Sequence, residues 1–146
     1  MNYKRGQMKL SFGMIFSIFL IIIFIAFAVY GIIKFINLQQ DLQIENFVLD
    51  LQNDVEKMWK APKGSSEEVY SLPKKVISVC FVNTEFENLI IRYSDSSRDE
   101  RKIEKINLED ITSVQNPYYC ILNIDGRVTI TLYKDFGEDL VKISSP

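Results

Sequence analysis

Hydrophobic and polar positions fall into three regimes along the chain. The first is Met14–Ile33, which reads MIFSIFLIIIFIAFAVYGII, twenty residues without a charge, bracketed by Lys9 and Lys34. At 1.5 Å per residue a helix of that length covers the roughly 30 Å hydrocarbon core of a bilayer. A helix also satisfies every backbone N–H and C=O within lipid. Core helices of soluble proteins rarely stay apolar on every face for so long. The stretch therefore predicts a transmembrane helix.

In the second regime the period changes but the helix signal persists. Phe35–Lys60 contains no Gly and no Pro. Ile44, Val48, Leu51, Val55 and Met58 recur at spacings of 4, 3, 4 and 3, one face of a helix, widened by Phe47 and Trp59. A second stripe, Leu38, Leu42 and Leu49, lies about 140° away at roughly 100° per residue. Asn46, Asp50, Asn53, Asp54 and Lys57 fill the polar wedge between the stripes. The run Ala61-Pro62-Lys63-Gly64-Ser65-Ser66 then breaks the helix. One helix from near Leu10 to near Lys60 is expected. Its first stripe would cover its own domain, and its second has no evident partner within the chain.

The third regime has short β-type runs. Val76–Val82 (VISVCFV) is continuously apolar and reads as a central strand. Asn88–Tyr93 is a second strand, and Leu140–Ile143 a short last one. Tyr118–Ile124 and Val128–Tyr133 flank Asp125-Gly126, a hairpin signal, because type I′ turns need positive φ at both central positions. Ile103–Ile111 reads equally as helix or strand, and Ser94–Lys102 (SDSSRDERK) as a charged loop. These runs predict an antiparallel sheet of four to six strands on the outer half of the helix. A head of this size has a marginal core alone, so the helix stripe would complete it.

Charge sets the expected orientation. Four of the 17 Lys and Arg residues (Lys4, Arg5, Lys9, Lys34) lie at or before residue 34, whereas all 19 Asp and Glu lie after residue 40. From Phe35 onward there are 13 basic and 19 acidic residues, a net charge of −6. Basic flanks stay in the cytoplasm, so the N-terminus is expected inside and the head outside. An acidic head with no basic, aromatic-interleaved patch gives no reason to expect nucleic acid. The two cysteines, Cys80 and Cys120, both fall in the part expected outside, where a disulfide is favoured. Such a bond would add about 4 kcal/mol on a chain-entropy estimate. By strand parity both side chains could point inward.

Catalytic chemistry finds little footing. The chain has no histidine, so the commonest general base and metal ligand are missing. No phosphate-binding glycine loop, CxxC or EF-hand spacing occurs. Paired acids such as Glu67-Glu68, Asp99-Glu100, Glu109-Asp110 and Glu138-Asp139 lie mostly in expected loops, where solvated charge is the simpler reading. No enzyme activity, metal or cofactor is expected.

The N-terminus reads MNYKRGQMKLSFG. An ordinary secretory signal places a small-residue cleavage site after a short apolar run. Here Gly6 stands before a long one, directly after Lys4-Arg5. The order Lys4, Arg5, Gly6, Gln7, with Phe12 and Gly13 at the start of the helix, resembles the class III signal peptide of archaeal type IV pilin-like proteins. The resemblance implies that a prepilin peptidase cuts between Gly6 and Gln7 at the cytoplasmic face. It also implies that the helix packs among other pilin-like subunits in a surface filament or pseudopilus. Two positions depart from the pattern: Ser11 stands where such proteins often carry Glu, and Lys9 where they carry an uncharged residue. A lysine in a filament core must snorkel or pair.

A packing surface is legible on the helix. Phe12, Phe16, Phe19 and Phe27 fall within about 80° of one face. Gly13, Ser17, Ala28 and Gly31 fall beside them, and small residues let helix backbones approach closely in lipid. Leu38, Leu42 and Leu49 extend that surface past the membrane. The expected organisation is a leader (1–6), a transmembrane helix (7–36), an amphipathic extension (37–60) and a β-rich extracytoplasmic head (61–146), an α+β fold. The expected role is a pilin-like structural subunit. The alternative is a single-pass anchor, never processed, carrying an outer binding or accessory module, with Lys4, Arg5 and Lys9 serving only to set topology.

Overall fold

The computed structural model describes Phe12–Pro146, and the leader residues Lys4, Arg5, Gly6 and Gln7, with Lys9 and Ser11, lie outside the described residues. Helix α1 runs Phe12–Lys60, 49 residues without interruption. It closes with a bond from Ala61 N to Met58 O at 3.1 Å, and Pro62 follows. Eight strands come after it: β1 (Gly64–Ser71), β2 (Val76–Val82), β3 (Leu89–Tyr93), β4 (Arg98–Arg101), β5 (Ile106–Asn107), β6 (Tyr118–Leu122), β7 (Arg127–Lys134) and β8 (Val141–Ser144). The chain divides into two compact units, Met1–Gln39 and Gln40–Pro146, so the outer half of α1 belongs to the same unit as the strands.

Where a single antiparallel sheet was expected, the strands form two sheets of four. Their orders are β1-β7-β8-β5 and β4-β3-β2-β6. All pairings are antiparallel except β5 with β8. The apolar strand β2 lies inside its sheet, between β3 and β6, as its composition demands. The Asp125-Gly126 turn forms as expected, with φ of 53° and 80°, and Ile124 and Arg127 exchange two backbone hydrogen bonds across it. The hairpin does not follow. Beyond that one bridge the two flanking strands part, β6 into one sheet and β7 into the other. The turn is a corner between sheets.

One core serves both sheets and the helix end. Ile44, Phe47, Leu51 and Val55, at spacings of 3, 4 and 4, are buried in one cluster with Val128, Ile130, Leu132, Val141 and Ile143 of the first sheet. Val79, Phe81, Leu89, Ile91 and Ile121 of the second sheet belong to the same cluster. Phe47 meets Tyr70 edge-on, with ring centroids 5.3 Å apart. Asn88 ties down the segment Ile103–Ile111, which reads equally as helix or strand. Its amide donates to Ile103 O at 2.8 Å and accepts from Ile103 N at 2.8 Å, replacing a strand partner with a side chain. After β5 the segment turns at Leu108, whose carbonyl accepts from Thr112 N.

Candidate functional site

Two surfaces carry the chemistry that a function would use. The first is the apolar length of α1. It is long and apolar enough to cross a membrane, and none of its apolar segment is buried within the protein. Phe12, Phe16, Phe19 and Phe27 are all more than half exposed. A Cβ placed on Gly31 would meet nothing within 4 Å, so that position is open to a neighbour. Ser17 behaves differently from the other small residues: its hydroxyl donates to Gly13 O at 2.8 Å, one turn back. That bond satisfies the hydroxyl in an apolar medium without a partner helix. Near the end of the apolar run, Lys34 Nζ stands 5.8 Å from the Tyr30 ring centre.

Further along α1, Leu38, Leu42 and Leu49 are each more than half exposed, so the second stripe has no cover from the described residues. The polar wedge is partly used. Tyr70 Oη donates to Asp54 at 3.0 Å, and Lys57 pairs with the same carboxylate at 2.7 Å. Burial, and then the Asp54 charge, push the Tyr70 hydroxyl far above the ordinary tyrosine range, so it stays a donor.

The second surface is the outer face of the sheet β4-β3-β2-β6. Cys80 and Cys120 are direct cross-strand partners and form a disulfide, with Cα atoms 3.9 Å apart. The bond does not point into the main core. Cys80 is buried on the opposite face, in a small separate cluster with Val82 and Ile90, and Cys120 is exposed. Strand parity relates residues within a strand but not the strand to the core: Val79 and Phe81 take the inner face. Val76 also reaches the core because the register shifts between it and Ser78.

Register builds a lattice on this outer face. Arg98, Arg92, Ser78 and Leu122 form one row across the four strands; Glu100, Ile90, Cys80 and Cys120 form the next. A concave groove of about 520 Å³ opens over Arg98, Arg92, Ser78, Ile90 and Cys80 of these rows, reaching the Ser94–Ser97 turn on one side and Tyr118 on the other. Arg98 uses its Nε to pair with Glu100 at 2.7 Å. Glu87, hydrogen-bonded to Glu100 and repelled by its charge, has its carboxyl raised above the ordinary value. The sequence gives no signal for this groove, because its residues come from four strands and meet only through pairing. Segment Ser94–Lys102, expected as a loop, is a turn followed by strand β4, and it lines the groove with Ser94, Ser96, Ser97 and Arg98.

Among the described residues no group of three or more Cys, Asp or Glu side chains is arranged to hold a metal ion. No family model, no curated protein and no solved structure matches the chain.

Proposed function

We propose that this protein is a pilin-like structural subunit, anchored and assembled through its N-terminal helix, with its disulfide-bonded β head outside the cell. The supporting observation is the helix itself. It is unbroken from Phe12 to Lys60, uncovered along its apolar run, and rooted at its far end by Ile44, Phe47, Leu51 and Val55. An apolar helix with open faces at Gly31 and along the phenylalanine ridge suits packing against like helices in lipid and, later, within a filament. The Lys4-Arg5-Gly6-Gln7 sequence supplies the processing site for a prepilin peptidase, and the basic N-terminal flank supports an inside N-terminus. Lys9 and Ser11 favour a minor or mixed-filament place over a major homopolymer, because Lys9 then needs an acidic neighbour or the headgroup layer. No catalytic role is proposed.

N-terminal mass spectrometry of the protein from its native membrane tests the reading. A mature chain beginning Gln7-Met8-Lys9 is expected. Recovery of the intact N-terminus, or of a chain starting at Met8, would overturn processing. The second reading is an unprocessed, lone anchored module, and the groove on the head favours it. Crosslinking in native membranes separates the two: a helix-to-helix product is expected for a subunit and only monomer for a lone module.

A further inference from the structure

We infer that the groove on the outer face of the second sheet binds a small organic anion, its carboxylate or sulfate held between Arg92 and Arg98. The inference concerns the head alone and does not rest on the assembly reading. The groove's volume, about 520 Å³, lies in the range of small-molecule sites. Its lining mixes apolar side chains with serines and two arginines, polar groups of the kind that fix a ligand's orientation. Ile90 and Cys80 form the floor, Arg92 and Arg98 stand at one end, and Tyr118 at the other.

The arginines carry the argument. They are direct cross-strand partners in the β3–β4 pair, so two like charges face each other on one side of a sheet. Like charges directly opposite are destabilising, and a bound anion removes that cost. Their forks have room for one. Among the described residues Arg92 makes no ion pair, and Arg98 uses only Nε, toward Glu100. The terminal nitrogens of both guanidiniums are thus open to planar, paired recognition of a carboxylate or sulfate. The ligand body then lies over Ile90 and Cys80 toward the Tyr118 ring, with serine hydroxyls of the Ser94–Ser97 turn at its side.

The test is equilibrium binding to the full chain held in nanodiscs of uncharged net composition. Four probes are used: glucuronate, benzoate, and their neutral counterparts glucose and benzyl alcohol. At least one acid is expected to bind saturably, and about tenfold more tightly than its neutral counterpart. Tighter glucuronate identifies a sugar-like body, and tighter benzoate an apolar one. Arg92→Gln is expected to lower the affinity of the preferred acid by about tenfold. Arg92→Lys keeps the charge without the planar fork and should give a smaller loss, a readout that holds if the Gln variant folds poorly. Equal binding of acid and neutral probe, saturable binding by none of the four, or binding indifferent to both substitutions would overturn the inference.

Discussion

Lys134 Nζ donates to the carbonyl oxygen of Trp59 at 2.6 Å and to that of Ala61 at 3.2 Å. The last carbonyls of any helix have no partner within it, and a cation there also meets the negative end of the helix dipole. In this protein the cap comes from the end of β7, far along the chain. It ties α1 to the strand at the middle of the first sheet, beside β1. Lys134 is itself buried, so its loss leaves carbonyls unpaired. Lys134→Met is expected to cost about 1–3 kcal/mol. Urea denaturation of the detergent-solubilised protein measures it; an unchanged midpoint would show that the cap contributes nothing.

The two faces of α1 predict opposite outcomes for the same substitution. Leu51 has no exposed surface, while Leu49, two residues away, is 59% exposed. Leu51→Ala should cost about 2–5 kcal/mol. Leu49→Ala should change head stability by no more than about 0.5 kcal/mol. Thermal melts of both variants decide it, and equal effects would reverse the assignment of faces.

The disulfide fastens an edge strand. β6 pairs along its length only with β2, and the Cys80–Cys120 bond sits in the middle of that ladder. Replacing both cysteines with alanine is expected to cost about 2–5 kcal/mol. Amide exchange should rise most in β6 and less in β7, which is held on both sides. Uniform exchange changes across both strands would contradict a local staple.

Lys142 predicts a pH dependence. Its ammonium lies 2.5 Å from Glu138 and 3.1 Å from Asp110. The hydrogen bond from Lys142 holds the Glu138 carboxyl below its ordinary value. Bonds to Glu138 and then Asp110 raise the lysine well above its own. The Glu138 contribution is present above the ordinary carboxylate range and is lost as pH falls through the depressed value. The Lys142 contribution is complete below the ordinary lysine range and is lost as pH rises through the raised one. Glu138→Gln should therefore flatten the acid limb of the stability curve and lower the neutral plateau. Denaturation midpoints from neutral pH down to about pH 2 measure this, and parallel curves would refute it.

Gly126 occupies the corner between the sheets. Its φ is +80°, and an added Cβ would approach Leu72 O to 3.2 Å. Gly126→Ala is expected to cost about 1–2 kcal/mol for the left-handed backbone. Asp125, with φ of 53°, already bears such a conformation, so Asp125→Gly should be neutral or stabilising by the same melts.

Elements whose own residues decide their state were legible in the sequence. The helix, the buried strand Val76–Val82 and the Asp125-Gly126 turn belong here, each signalled by period, apolarity or a φ requirement. Strands whose partners decide them were not. β1 reads GSSEEVYS, and Tyr70 alone in it is buried; it is extended because β7 offers an eight-residue ladder. β4 reads RDER and is held by β3 and by Arg101, which pairs with Glu45 and Asp99. The disulfide pairing followed from the cysteine count, but its facing did not, since strand parity does not say which face of β2 meets the core. The groove was illegible because Arg92 and Arg98 become neighbours only through register.

Synthesis proceeds from the N-terminus, and the core of this protein is closed by its last strands. Val55 is made 86 residues before Val141, with which it shares one cluster. At about 5–20 residues per second, the cover of the apolar stripe Ile44, Phe47, Leu51 and Val55 stays incomplete until the last strand is made, roughly 4–17 s after Val55. During that interval the nascent chain holds a helix apolar enough to cross a membrane, followed by a second apolar surface that is only partly covered. The core is thus completed late, and a ribosome that stalls before β8 leaves behind a chain with part of its apolar core open to chaperone capture or aggregation.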